Sequence, residues 1–402
     1  MKLNWKIILL IAIPIVGALV YWGINRHSTL LTLVHSNKLT VEILDQSLLL
    51  GQKFLIANQK PEGNFNYEYD FVNDEFTPGD SQVRQAGALW GVALTHLELP
   101  GDASRMAAEK GIAFFEKHSR QVDNGQLIAY PGERIGRTGT MSLATLSLID
   151  FLRAEPNHPN RSHYDSLLQD YVRQLLALRM ENGQFHSAYN LRNGKGLRDP
   201  SPYFDGETLL ALSRAARYLG YDSLKTTILE SAESMYQNNV AEARKIDADS
   251  DVTKGFYQWG SMSFYEIYAA GWDDKWAART IEMADWMIDT HRTLLRTKNT
   301  AYAYEGLASA WKLAQLSGDD WAVKKIGTVI DIGLYKLISW QVGGPLEDSY
   351  LKDNPPASDI AIGGVINRGM LIRPNEPLLR IDVTQHQCHA MILAKKYIYN
   401  PK

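Results

Sequence analysis

Four carboxylates and one histidine stand where ordinary packing would not place them. Asp205 and Glu207 share "SPYFDGET", Glu305 follows two tyrosines in "AYAYEG", and Asp382 and His386 share "RIDVTQHQ". A carboxylic acid that protonates a leaving oxygen, and a second carboxylate that activates water, would make a hydrolytic pair. Glu305 lies inside an apolar segment, where an unpaired carboxylate is costly, so it needs a partner or a ligand. His386 suits proton transfer or hydrogen bonding. Asp205 and Glu207 also suit the start of a helix, as a cap and as a charge near its positive end. His386 and His389 are one helical step apart, yet no carboxylate cluster accompanies them, so no metal is expected. No cofactor is expected either.

Around these groups lie residues suited to a polar, flat ligand. Tyr69, Tyr189, Tyr203, Tyr257, Trp259 and Tyr304 offer aromatic faces, and Arg84, Arg137 and Arg380 offer guanidinium forks. Rings that stack on C–H faces, beside groups that fix hydroxyls, are the chemistry of a saccharide groove. The arginines suit an anionic sugar or another carboxylated polymer. "DADSD" (Asp247, Asp249, Asp251) resembles the start of a calcium loop, but Val252 and Gln258 stand where such a loop needs Gly and Glu. It is expected to be a solvated acidic loop.

The elements that must position these residues alternate. Segments 40–58, 103–119, 163–180, 224–239, 275–292 and 320–338 are amphipathic, with apolar residues at three- and four-residue steps and charges on the other side. Segments 82–99, 139–154, 205–220, 260–271, 301–318 and 382–398 are rich in small residues and poor in charge. Such helices pack closely and are buried on most sides. Six wet and six buried helices in alternation predict an all-α (α/α)6 toroid of six hairpins in two concentric rings. A linear helical solenoid obeys the same pairing but should keep a steadier period.

The links support a ring with two unlike faces. Links from buried to wet helix are short and turn-rich: "LPGD", "EPNHPN", "GYDS", "GWDD" and "SGDD". Links from wet to buried helix at 60–81, 121–137, 181–204 and 340–381 are long. Long loops on a rigid scaffold usually carry function. Two of them share a pattern: "EGNFNYEYD" (Glu62–Asp70) returns as "NGQFHSAYN" (Asn182–Asn190), with a shorter relative "NGQLIAY" at Asn124–Tyr130. The glycine should permit a turn and the phenylalanine should anchor the loop to the helices beneath.

Bulk properties narrow the function. The 402-residue chain is 45% hydrophobic and 22% charged, with net charge −3, which implies no broad basic surface for nucleic acid. Cys388 alone excludes an internal disulfide or a multi-cysteine zinc site and is expected to be a buried small side chain. Residues 1–6 are expected to be a cytoplasmic N-terminus. The uncharged run Ile7–Ile24, flanked by Lys6 and Arg26 with Trp5, Tyr21 and Trp22 at its ends, is expected to be a transmembrane signal anchor. Residues 25–39 would be a linker and 40–402 the toroid, on the periplasmic or extracellular side of a bacterial inner membrane.

The blocks "EGNFNYEYD", "VRQAGALWGVALTHLELPGD", "YFDGETLLALSRAARYLG", "YEGLASAWKLAQLSGDD" and "DVTQHQCHAMILAKK" resemble the six-hairpin glycosidase-like (α/α)6 toroid superfamily, in particular a bacterial membrane-anchored branch. The resemblance covers roughly residues 40–398. It implies carbohydrate processing, since members include glycoside hydrolases, unsaturated glucuronyl hydrolases, polysaccharide lyases and sugar epimerases. Fold analogy alone does not transfer a reaction. Lanthionine cyclase-like toroids need two cysteines, and terpene cyclases need an inner-helix aspartate motif; neither is present. The expectation is a membrane-anchored, glycoside hydrolase-like (or lyase- or epimerase-like) enzyme acting on an envelope or extracellular polysaccharide. The alternative is a non-catalytic glycan-binding or assembly subunit of an envelope machine, with envelope-protein partners left unspecified.

Overall fold

The computed structural model describes residues 39–296, 300–353, 356, 358–366 and 378–399. The expected cytoplasmic N-terminus, membrane span and nearly all of the linker lie outside them. Among the described residues, no helix is long and apolar enough to cross a membrane. The fold is that of the compact unit Val41–Lys402.

Twelve principal helices occupy the expected segments. The outer set is α1 (Val41–Ala57), α3 (Asp102–Lys117), α5 (Arg161–Ala177), α7 (Lys225–Tyr236), α9 (Lys275–Asp285) and α11 (Asp320–Ser339). The inner set is α2 (Gln82–Glu98), α4 (Thr138–Ala154), α6 (Pro202–Leu219), α8 (Asp251–Ala269), α10 (Ala301–Ser317) and α12 (Ile381–Ala394). Each inner helix packs on the next, and α12 packs back on α2, so the ring closes and the linear solenoid is ruled out. The outer helices lie against this ring. The division follows from composition. In α4 every residue from Thr138 to Leu152 is buried, whereas α3 buries one stripe through Ala107, Ala108, Gly111, Ile112 and Phe115.

One boundary differs from expectation. The fourth inner helix begins at Asp251, not near Gly260, because Ser250 caps it by accepting from the Val252 and Thr253 amides. The helix contains Gly255 and Gly260. In the fold they are close-approach positions: a Cβ at Gly260 would run into the Phe256 ring, and one at Gly206 opposite would strike Trp259.

At the tight face, Gly220, Gly271 and Gly318 turn the chain with φ of 80°, 67° and 75°. At the loop face, three small antiparallel sheets among the described residues tie the links together. One joins β1 (Glu68–Asp70) to β2 (Glu75–Phe76) and to β8 (Leu378–Arg380), with Glu68 opposite Arg380. It thereby fastens the first loop to the last. The hairpin of β3 (Ser119–Val122) and β4 (Gly125–Ile128) stands alone. β5 (Gly136–Arg137), β6 (His186–Tyr189) and β7 (Gly196–Pro200) form the third sheet.

The repeated loop is one structural device built twice. Gly63 and Gly183 both have positive φ, 109° and 91°, as does Gly125 of the shorter relative at 122°. The Gly63 amide donates to Lys60 O and the Gly183 amide to Met180 O, each at 3.0 Å. The Asn66 amide donates to Asn58 O, and the His186 amide to Leu178 O, in the same pattern. Phe65 and Phe185 are fully buried. Each phenylalanine amide donates to a side chain at the start of the next inner helix, Phe65 to Gln85 Oε1 at 2.7 Å and Phe185 to Asp205 Oδ1 at 3.0 Å. A Cβ at Gly63 would collide with the Lys110 carbonyl, and one at Gly125 with the Asp170 carbonyl, both on the following outer helix. Gly63→Ala combines this collision with an unfavourable φ, and chemical denaturation should show a loss of about 3 kcal/mol.

Candidate functional site

The amino ends of the inner helices surround a cavity of about 720 Å³ on the loop face, lined by residues from all six inner helices and by the loop before α10. Glu207, Trp259, Tyr203, Arg84, Asp382 and His386 are on its wall.

Beneath that wall lies the Glu305 carboxylate, with no solvent exposure. His386 Nδ1 is 2.7 Å from Oε1, His389 Nδ1 is 3.0 Å from Oε2, and Gln258 Nε2 donates to Oε2 at 3.3 Å. Burial works against the charge on Glu305. The two histidines outweigh it and hold the carboxyl below its ordinary range. The carboxylate therefore accepts, and both Nδ1–H groups donate. His386 responds in the opposite sense: burial opposes its charge, but Glu305 prevails and raises it above an ordinary histidine. His389 is held below that value by burial, which the same carboxylate does not offset. The carboxylate thus favours the charged form of His386, whereas burial favours the neutral form of His389. The His386 side chain is 18% exposed and faces the cavity, and among the described residues its Nε2 has no hydrogen-bond partner.

Glu207 is built for the other protonation state. It is 4% exposed, and its Oε2 has no hydrogen-bond partner among the described residues. Burial alone raises its carboxyl well above the ordinary glutamate value, which favours the neutral acid. It projects from α6 into the cavity against the glycine face of α4, where a Cβ at Gly139 would meet it.

The remaining expected residues divide cleanly. Asp382 lines the cavity with both oxygens engaged, by the Arg380 fork at 2.9 and 2.6 Å and by Arg84 at 3.2 Å. Arg84 also donates to the Tyr67 hydroxyl. Tyr203, 45% exposed, and Trp259 present the aromatic faces. Asp205 does not line the cavity. It accepts from Phe185 N, Gln184 Nε2 at 2.9 Å and Asn239 Nδ2 at 3.0 Å, which makes it the anchor of the repeated loop. Burial raises its carboxyl to about 6 despite these donors. Tyr189, Tyr257 and Tyr304 are fully buried against Gly136, Gly306 and Gly333, away from the cavity. Tyr69 is buried and donates to Asp74, and Arg137 lies in β5 off the cavity wall.

Sequence reasoning missed Lys254, His291, Arg296 and Thr300 as cavity residues. Asp249 of "DADSD" is more than a solvated acid: it holds His291 at 2.7 Å and Arg296 at 2.9 Å at the cavity rim. Among the described residues no group of acids, histidines or cysteines could hold a metal ion.

The closed double ring and its loop-face cavity define an (α/α)6 toroid. No family model and no curated relative matches the chain. Among solved structures it is similar to a cellobiose 2-epimerase from Spirochaeta thermophila, at 15% identity and TM-score 0.60 over 91% of this chain and 97% of that one. A sugar epimerase from a ruminal bacterium is similar at 12% identity and TM-score 0.61, covering 88% and 98%. An unsaturated glucuronyl hydrolase specific for heparin is similar at 11% identity and TM-score 0.58, covering 88% and 97%. At such identities the likeness establishes the fold.

Glu207 supplies a direct check on the electrostatics. A group whose folded value is raised is held at full stability only below its unfolded value, and loses it as pH rises. The wild type should therefore lose thermal stability from about pH 5 towards pH 8, while Glu207→Gln should show a flatter profile and melt higher at pH 8. Parallel profiles would show that Glu207 is not a buried neutral acid.

Proposed function

We propose that the protein is a carbohydrate-active enzyme of the isomerase or epimerase class, moving a proton at the carbon beside the carbonyl of a reducing sugar. The carrying observation is the His386–Glu305 pair: Nδ1 bound to a buried carboxylate, Nε2 turned into the cavity. A carboxylate on Nδ1 fixes the tautomer and strengthens Nε2 as a base. In the proposed step His386 Nε2 takes the proton from C2, and neutral Glu207 donates its proton to the carbonyl oxygen. The resulting enediol returns the hydroxyl proton of C2 to Glu207, and His386 delivers its proton to C1. The balance is an aldose converted to a ketose.

This reading is favoured over two-carboxylate hydrolysis by the state of the acids. Hydrolysis of that kind needs a second free carboxylate facing the substrate. Glu305 is enclosed, Asp205 lies under a loop, and Asp382 is clasped by two arginines. Trp259 and Tyr203 provide the stacking faces for a sugar ring. The epimerases among the similar structures support a sugar as substrate. Arg84 and Arg380 suit an acidic sugar residue. The run Ile7–Ile24 supports a single-pass tether to a bacterial inner membrane, with the toroid on the outer side.

The test is proton exchange. Reducing mono- and disaccharides, neutral and uronic, are incubated with the enzyme in D2O and followed by NMR. Deuterium should enter the carbon beside the carbonyl. His386→Asn should abolish exchange by roughly a thousandfold, and Glu305→Gln and Glu207→Gln should each reduce it at least about tenfold. Cleavage of a glycosidic bond without exchange, or sugar binding with no turnover at all, would contradict the proposal.

A further inference from the structure

A second cavity, of about 460 Å³, opens at the opposite end of the inner ring, where the short links run. The carboxyl-terminal halves of all six inner helices contribute to it, from Glu98 of α2 to Ile392 of α12. Its charges are unequal. Arg153 and Arg214 are neutralised by Asp150 and Glu266, and Lys395 by Asp45 and Glu98. Lys312 and Lys396 are left over: among the described residues neither has a carboxylate within ion-pair distance, and Lys312 reaches only the Gln315 amide oxygen. Burial, followed by the neighbouring Arg153, disfavours the charge on Lys396. Helix carboxyl ends favour cations in general, which accounts for basic residues here.

The helix ends do not account for His389. This side chain has no solvent exposure, yet it lines the second cavity and its Nε2 has no hydrogen-bond partner among the described residues. Its Nδ1–H is committed to Glu305 at 3.0 Å. In the neutral ring Nε2 is therefore an acceptor, and a buried acceptor without a donor is costly. A ligand that satisfies this wall must offer an O–H group to Nε2 and anionic oxygens to the two lysines.

We propose that the second cavity binds a small oxyanion carrying its own hydroxyl donor, of which hydrogen phosphate is the simplest. Lys312 and Lys396 take the charged oxygens, and His389 Nε2 accepts the O–H. The ligand would then touch Glu305 through a single imidazole, which links the two faces of the ring. This site stands apart from the proposed sugar reaction, and its test needs no turnover.

Isothermal titration of the full chain with inorganic phosphate and with sulfate, at pH 8 and equal ionic strength, makes the comparison. The two anions carry nearly the same charge there, but only phosphate keeps an O–H. Phosphate should bind at least about tenfold more tightly than sulfate. The double variant Lys312→Met/Lys396→Met should weaken phosphate by at least about tenfold while melting normally without ligand. Glu207→Gln, altered only in the other cavity, should bind phosphate as the wild type does. No saturable binding at millimolar phosphate would overturn the proposal, as would equal binding of the two anions. Binding that survives the lysine changes, or is altered by Glu207→Gln, would place the anion elsewhere and overturn it as well.

Discussion

The architecture turns on one buried charge. Glu305 sits at the centre of the inner ring without solvent, and a carboxylate in that place is tolerable only if its lone pairs are taken by well-placed donors. Those donors come from α8, through Gln258, and from α12, through His386 and His389. The ring must therefore close with α8, α10 and α12 in one rotational setting. Trp90 from α2 packs edge-on against His389 and near Trp259, which extends the same constraint across the ring. The removal of Glu305 would leave two imidazoles aimed at nothing, and their removal would leave an uncompensated charge. Either loss has consequences well beyond one contact.

A second layer of polar structure supports the first. Asp150, buried on α4, accepts from Trp90 Nε1 at 2.8 Å and pairs with Arg153 and Arg214; Arg214 continues to Glu266 on α8. This polar chain joins α2, α4, α6 and α8 and ties their relative heights. Above it, the loops are pinned by Gln85 and Asp205 to the starts of α2 and α6. The cavity is thus walled by rigid elements that hold Glu207 and His386 in one shared space. A neutral acid beside a charge-supported histidine is the arrangement that proton transfer requires.

Much of this was legible in the sequence. Alternating wet and buried helices declared a double ring, and the unequal links declared which face would carry long loops. The recurrence of Gly, Phe and Tyr in "EGNFNYEYD" and "NGQFHSAYN" declared a repeated loop, and the positive φ of Gly63 and Gly183 gives the reason for the glycine. The side chains facing the axis were less legible. An inner helix buried on every side has no hydrophobic stripe to orient it, so Tyr257 and Tyr304 were read as ligand-facing when each packs against a glycine of a neighbouring helix; Tyr189, in β6, packs likewise on Gly136. The expectation that Glu305 needs a partner stands on general physics. The identity of that partner, more than eighty residues away in the chain, has no local signature. The role of Asp205 emerges only beside Gln85: each receives a phenylalanine amide from its own copy of the repeated loop, which marks the position as an anchor whatever residue fills it.

The central claim is that Glu305 carries the negative charge that makes His386 a strengthened base. The most direct measurement is an NMR titration of labelled histidine side chains in the wild type and in Glu305→Gln. The account predicts that His386 titrates above the ordinary value of 6.5, with the proton of the neutral form on Nδ1, and that Glu305→Gln lowers that midpoint. A His386 that titrates at or below the ordinary value, with a midpoint indifferent to Glu305→Gln, would contradict it.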